Sequence, residues 1–318
     1  MILTDELIAD YIKANYKDMG KSPATIKTMT GHLRAVAKYF DGQDITQEGL
    51  ATYADYLENT NAVTIKTRTA KERKTIERPL SVKTRAERLK AINKLLERHG
   101  EDISIKPPEI QIDLDQDENA ILPEQFIRLC KTAGKMGEYR IATIMLTFAG
   151  AGLRYSELKF VTPDSIKEGR IDILKGKGNK ARRVPVSKYL KTVLKWYQDK
   201  AGVSDGELFQ GRTGKTIDLA RLSKKLHAIA GAAKGGIKQA HIHPHAFRHL
   251  FATEFTRYCG NEIVLSKLMG HTKGSSGVTA RYVNFTEKEK REMIEQSDLI
   301  KRAFKALQEG AAEHEADD

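Results

Sequence analysis

Four short segments gather side chains suited to work on a phosphate: AGLRYSEL, KGKGNKARRVPV, HIHPHAFRHLFATEF and KLMGHTKGSSGVTARYVNF. In the first, Arg154 follows a glycine-containing turn and precedes a helix that carries Glu157, so a guanidinium there can meet an anion. Taken alone, an arginine after glycine is more often a surface residue. In the second, Lys175, Lys177, Lys180, Arg182 and Arg183 crowd around Gly176, Gly178 and Asn179 between two short strand candidates, which predicts a hairpin with a basic tip. Glycines let the backbone approach a ligand closely, and a lysine stem can bring its ammonium to a phosphate or to a leaving oxygen. A solvated turn is the plainer alternative. The glycine spacing, and the lack of a Lys-Ser or Lys-Thr pair ahead of a helix, do not fit a P-loop.

The third segment collects His241, His243, His245, Arg248 and His249 around Pro244. His245 and His249 stand four apart on a predicted helix, a spacing that can ligate zinc. No Glu follows His245 in the protease arrangement, and no metal site is predicted. His245 and Arg248, three apart, share a helical face and can aim at one phosphate together. The fourth segment supplies His271 at the end of a helix, a Gly-Ser-Ser-Gly stretch and Tyr282, one of the chain's eleven tyrosines and by itself no more notable than Tyr258 or Tyr189.

These residues need a scaffold, and a chain of 318 residues has apolar content enough for two cores. Helix starts are predicted at Thr4, at Ser22 followed by Pro23, and at Ser81. Leu33, Val36, Ala37 and Phe40 recur at helical spacing, as do Leu89, Ile92, Leu95 and Leu96, so the first hundred residues are expected to be a helical domain. The stretch from Val63 to Leu80 is Thr-rich with weak alternation, which suits an extended loop or a hairpin. Residues 61 to 100 hold twelve Lys or Arg against four Glu. That one-signed excess makes Lys66, Arg68, Lys71, Arg73, Lys74, Lys83, Arg85 and Arg88 candidates for DNA contact, with Lys175, Lys180 and Arg182 of the second hairpin.

Tandem Pro107 and Pro108 and the Asp-rich run after them predict a linker over 106–120, between a helical domain over 1–105 and a second domain over 121–308. The second domain is expected to have helices through about Phe148, strands at Arg170 to Leu174 and Arg183 to Val186, and helices after that. The last helix is predicted to start at Thr286, with Glu289 closing a capping box, and to carry Met293, Ile300, Phe304 and Leu307 on one stripe. That stripe serves equally to cover its own domain or to dock on a neighbour. Residues 309–318 are acidic and are expected to be disordered. The fold class is therefore mainly α with a small antiparallel β-sheet (α+β).

A net charge of +12 favours a polyanionic partner, through its summed field and the release of counterions. Cys130 and Cys259, both in apolar helical stretches, are expected to be buried free thiols of a reducing compartment. Neither a secretory leader nor an apolar run of roughly 20 residues is evident, so a cytoplasmic protein without a membrane partner is expected.

Taken in order, Arg154, Lys177, His245, Arg248, His271 and Tyr282 resemble the active-site set of the tyrosine recombinase and phage integrase family, in the boxes GLRYSEL, GKGNKARRVPV, HAFRHLFAT and LMGH followed by a tyrosine. The resemblance is close over residues 122 to about 285 and looser before that. It departs in the length of the stretch from His271 to Tyr282 and in Asn284, where the family commonly has histidine. It implies a helical core-binding domain and a catalytic domain forming a C-shaped clamp on duplex DNA, as in simple Xer-like or Cre-like enzymes. Monomers in solution would assemble as tetramers on two copies of a specific recombination site.

By that resemblance Arg154 and Arg248 grip the non-bridging phosphate oxygens, Tyr282 is the nucleophile that forms a 3′-phosphotyrosine, and no cofactor is needed. His245 is then the candidate base, Lys177 the acid for the leaving oxygen and His271 a hydrogen-bond donor to the phosphate, with Glu157, His249 and Asn284 in support. A type IB topoisomerase shares this chemistry, and a non-catalytic DNA-binding regulator could share the scaffold.

Overall fold

The computed structural model describes residues 1–59, 61–69, 72–109, 120–174, 181–211, 214, 216–270 and 285–317, with the backbone path alone over 61–69, 72–78 and 317. Lys71, Lys175, Lys177, Lys180, His271, Tyr282 and Asn284 lie outside the described residues. The chain divides into two compact units, Met1–Leu114 and Asp115–Asp318.

In the first unit, side-chain caps start three helices where short polar residues precede apolar periodicity. Thr4 caps α1 (Asp5–Ile12), accepting from the Leu7 amide at 3.1 Å. Ser22 caps α2 (Pro23–Phe40), with Pro23 in the first turn where its missing N–H costs nothing, and Ser81 caps α4 (Val82–Arg98). Between them lie α3 (Gln47–Asn59) and a hairpin of β1 (Asn61–Thr69) and β2 (Glu72–Pro79). The antiparallel register pairs Val63 with Glu77 and Ile65 with Thr75, then shifts before pairing Arg68 with Arg73. Leu33, Val36 and Phe40 of α2, Leu50, Tyr53 and Leu57 of α3, and Leu89, Ile92, Leu95 and Leu96 of α4 form the core. Past α4 the chain stays tied to this unit. Gln47 brackets the backbone of Ser104 at 2.9 and 3.2 Å, and Asn93 brackets that of Ile105 at 2.7 and 3.1 Å.

The second unit is organised around α6 (Tyr139–Ala151), in which every residue from Ile141 onward is buried, as expected of a helix apolar on all sides. Around it pack α5 (Pro123–Lys135), the short α7 (Pro163–Glu168), α8 (Lys188–Ala201), α9 (Leu219–Ala232) and α10 (Pro244–Cys259). A hairpin of β3 (Arg170–Ile173) and β4 (Arg182–Pro185) pairs Ile173 with Arg182 and Ile171 with Val184. The helix α11 (Glu262–Met269) shares a small separate core with α10, made of Phe251, Phe255, Val264, Leu268, Met269 and Ile294. Cys130 is buried as expected, but Cys259 is partly exposed at the last turn of α10.

Two expectations need correction. The helix from Thr286 is not continuous: it is α12 (Glu287–Ile294), and a new helix, α13 (Leu299–Asp317), begins after a break at which the Ser297 hydroxyl accepts from the Leu299 amide at 3.3 Å. The break lets Ile294 face the small core while Ile300, Phe304 and Leu307 enter the large one. The acidic stretch from residue 309 is not disordered, because it forms the last turns of α13, seated on α5. Gly310 and Gly134 permit close approach there, since a Cβ on either would strike the backbone of the other helix. Ala311 is buried, Glu313 pairs with Lys131 at 3.2 Å and with Lys135, and Glu315 pairs with Lys200 at 2.7 Å. The tail repels itself only if these lysines are left out. The apolar stripe of α13 covers its own unit.

Candidate active site

Two helices end where the site begins. The last turn of α6 closes on Gly152 in the left-handed region (φ 61°), and a Cβ there would lie 2.5 Å from the Phe251 ring. The turn releases the chain into extended backbone at Arg154, ahead of a 3-10 turn over Tyr155–Phe160. Helix α11 closes on Gly270, also left-handed (φ 63°). A helix end leaves carbonyls without intrahelical partners, and its partial negative charge attracts cations.

Three arginines meet those carbonyls. Arg182 donates Nε to the Leu268 carbonyl at 2.7 Å, Arg248 donates Nη2 to the Met269 carbonyl at 2.6 Å, and Arg154 donates Nη2 to the Gly270 carbonyl at 2.9 Å. Arg248 also donates Nη1 to the Gly152 carbonyl. It is 2 % exposed, and burial, followed by the charge of Arg154, pushes its pKa down to about 10, which leaves it protonated at neutral pH.

Glu157 balances the arginines. Its Oε1 accepts from Arg154 Nη1 at 2.9 Å and Arg182 Nη1 at 2.8 Å, and its Oε2 accepts from the Arg154 amide at 2.8 Å and Arg182 Nη2 at 2.7 Å. Burial alone would raise the pKa of this carboxyl. The hydrogen bonds from Arg182 and the Arg154 amide, then the charge of Arg182 and the hydrogen bond from the Arg154 side chain, prevail and hold it below the usual carboxylate value.

Helix α10 supplies the histidine. His243 caps it, its Nδ1 accepting from the Ala246 amide at 3.2 Å, and Pro244 takes the first turn. His245 therefore stands one turn ahead of Arg248, on the exposed side of the helix. Partial desolvation, then the charges of Arg248, His249 and Arg154, lower its pKa, which favours the neutral, proton-accepting imidazole. His249 is exposed on the same helix.

Of the residues singled out in the sequence, Arg154, Arg248 and Glu157 converge, with His245 beside them. Lys177, His271 and Tyr282 lie outside the described residues, although His271 directly follows Gly270 in the chain. Arg182, expected at DNA, has its guanidinium taken up by Glu157 and Leu268. The signal available in the sequence was strand alternation: in the pair Arg182–Arg183 one side chain must turn inward, and Arg183 is the one left 61 % exposed, near Asp172. The contribution of the Leu268 to Gly270 carbonyls left no mark in residue types.

Of the remaining candidates for DNA contact, Lys66, Arg68, Arg73 and Lys74 belong to the β1–β2 hairpin and Lys83 is exposed on α4. Arg85 is mostly covered and paired with Glu58 at 3.1 Å, and Arg88 is half-buried near Tyr53. Among the described residues no three His, Cys, Asp or Glu side chains converge as a metal-binding set, and no helix is long and apolar enough to cross a membrane.

The family model described as "Phage integrase family" matches residues 119–289. Tyrosine recombinase XerC of Pseudomonas aeruginosa is 33% identical over 137 residues, 42% of this chain and 44% of that protein. XerC of Yersinia pestis is 34% identical over 132 residues, 38% of this chain and 41% of that protein. Each match thus spans less than half the length of the relative.

Among solved structures, the XerH site-specific recombinase bound to its difH substrate superposes with a TM-score of 0.60 at 19% identity, over 91% of this chain and 83% of that one. A lambda integrase dimer bound to a core site gives 0.63 at 11% identity, over 85% and 95%. The Tn1549 transposon integrase with transposon-end DNA gives 0.62 at 16%, over 92% and 98%. At such identities the likeness is one of fold.

Proposed function

Since the chain belongs to the phage integrase family, whose model matches residues 119–289, we propose that it is a site-specific recombinase that cuts and rejoins duplex DNA through a covalent bond between Tyr282 and a 3′-phosphate. The observation that carries this reading is the meeting of Arg154 and Arg248 at the end of α11, with His245 a turn from Arg248.

A phosphodiester resists attack through its negative charge and its poor alkoxide leaving group, so catalysis has to neutralise the first and protonate the second. Planar guanidinium forks suit the non-bridging oxygens better than ammonium groups do. Tyr282 Oη attacks phosphorus and passes its proton to His245. The new P–O bond replaces the bond to the 5′ oxygen, which leaves with a proton from Lys177. A phenol of pKa about 10 is ionised to only about one part in a thousand at pH 7, which is why a base is needed. The bond energy stays in the phosphotyrosine, so attack by a 5′ hydroxyl reverses the step without a nucleotide cofactor. His271 donates a hydrogen bond to the phosphate.

The recognition surface is the basic hairpin β1–β2 with α4. Its register sets Arg68 opposite Arg73. Two copies of a specific recombination site, four protomers in the complex and a cytoplasmic setting complete the proposal.

The test is a nicked suicide substrate carrying the site. Wild-type protein forms a covalent adduct that survives denaturation, and Tyr282→Phe binds the same DNA without forming one. An adduct persisting in Tyr282→Phe would sink the nucleophile assignment. Relaxation of supercoils without strand exchange between two sites would identify the topoisomerase-like alternative.

A further inference from the structure

We propose that Arg182 is a positioning residue for the strand-transfer centre, aiming Arg154 through Glu157 and holding the end of α11 in register with both, rather than a contact to DNA. The inference rests on the reading of Arg154 as a phosphate-binding arginine.

The guanidinium of Arg182 is used on two edges. Nη1 and Nη2 make a parallel pair with the two oxygens of Glu157 at 2.8 and 2.7 Å, and Nε meets the Leu268 carbonyl at 2.7 Å. The side chain is 9 % exposed and its partner carboxylate 2 % exposed, and all three guanidinium nitrogens are engaged within the protein. Glu157, gripped by the fork, keeps one oxygen for Arg154 Nη1 and the other for the Arg154 amide. The direction of the Arg154 guanidinium is set by Glu157, and the direction of Glu157 by Arg182.

A second contact extends the chain of constraint. A Cβ on Gly270 would stand 3.0 to 3.2 Å from Nη1, Cδ and Cζ of Arg182, so the end of α11 lies directly against this side chain. Arg182 therefore ties together three segments of the second unit: β4 on its hairpin, the turn that carries Arg154, and the helix end that leads in the chain to His271 and Tyr282. Lysine preserves the charge but has neither the planar fork nor an Nε–H, so Arg182→Lys separates charge from geometry.

The experiment compares wild type, Arg154→Lys, Arg182→Lys and the double variant at saturating DNA on the nicked substrate, with thermal melts confirming folding. Arg182→Lys is expected to cut about 10- to 100-fold more slowly, less than the roughly 10²- to 10³-fold lost when a transition-state donor is removed outright. Its dissociation constant for DNA and the salt dependence of binding should match wild type. In the Arg154→Lys background the same change should cost less than about 3-fold, because the path it acts through is already broken. Weaker binding with a salt slope reduced by about one would make Arg182 a phosphate contact and overturn the proposal. Losses that multiply in the double variant would overturn it as well, since they would mean action independent of Arg154.

A measurement on DNA-free protein decides the point apart from the reaction. The Nη signals of Arg154 in a nitrogen-15 spectrum should be separate in wild type, where the ion pair hinders guanidinium rotation, and should merge in Arg182→Lys. Signals unchanged by the substitution would refute the coupling. A wild-type protein that never forms an adduct would refute the strand-transfer reading and leave the spectrum to decide the role of Arg182.

Discussion

Replacing Glu157 with glutamine tests the electrostatics of the site at nearly constant shape. The carboxylate accepts four hydrogen bonds, from Arg154 Nη1, the Arg154 amide, and Arg182 Nη1 and Nη2, and is almost fully buried. A glutamine oxygen can keep two of them. Its amide group then faces the other two donors, and the two guanidinium groups lose their shared counter-charge. Breaking a buried pair by removing one partner costs about 3 to 5 kcal/mol. For a domain of about 200 residues each kcal/mol lowers Tm by roughly 2 to 4 °C, so Glu157→Gln should melt about 6 to 20 °C lower at pH 7. The pH dependence follows from the direction of the shift. A carboxyl held below its ordinary value of 4.5 contributes stability that is fully present above that value and is lost as pH falls through the lowered one. The gap in Tm between wild type and variant, measured by calorimetry, should therefore be constant near neutrality and begin to close only below about pH 4.5. A shift under about 2 °C at pH 7, or a gap that does not narrow in acid, would refute the account of Glu157 as the counter-charge of two arginines.

Two further outcomes can be measured directly. His245 has a pKa lowered from 6.5, so its neutral form persists further into acid than that of an ordinary histidine; cleavage at limiting DNA, which follows kcat/KM and so the free protein, should hold its rate to below pH 6.5, and a limb persisting unchanged in His245→Gln would remove this residue as the base. Gly310→Ala forces a methyl against the Lys131 carbonyl, and overpacking of this kind costs about 1 to 3 kcal/mol, read as a lower urea midpoint; an unchanged midpoint would contradict the seating of α13 on α5.

What was legible in the sequence was local. The caps Thr4, Ser22, Ser81 and Thr286 act within three residues of themselves, and the stripes of α2 and α4 repeat within one helix, so residue order alone displays them. The acidic tail misled because its partners are remote: Glu309 meets Lys131 across 178 positions, and a charge count along the tail cannot see a cation that folding brings to it. The partners of Arg182 are remote for the same reason. It was grouped with its basic sequence neighbours, while its partners Glu157 and Leu268 are 25 and 86 positions away. Arg154 and Arg248 were identified as a pair through family order, since their separation in sequence says nothing about the helix end at which they meet.

That helix end explains how so much positive charge can be gathered within the folded protein. Arg154, Arg182 and Arg248 carry three charges against one on Glu157, and Arg248 is buried deeply enough to lower its own pKa. The compensation comes from the backbone. Helices α6 and α11 both terminate on left-handed glycines, which leaves the carbonyls of Gly152, Met269 and Gly270 free to accept from Arg248 and Arg154. Phosphates are often bound at helix N-termini, where amides point at the anion. Here the polarity is inverted: helix C-termini hold the cations, which under the proposed function hold the anion. Under the proposed function, a phosphodiester entering such a site would find guanidinium groups already oriented, and the energy of assembling like charges would have been met during folding instead of at the chemical step, which is the condition under which fixed charges lower a barrier most.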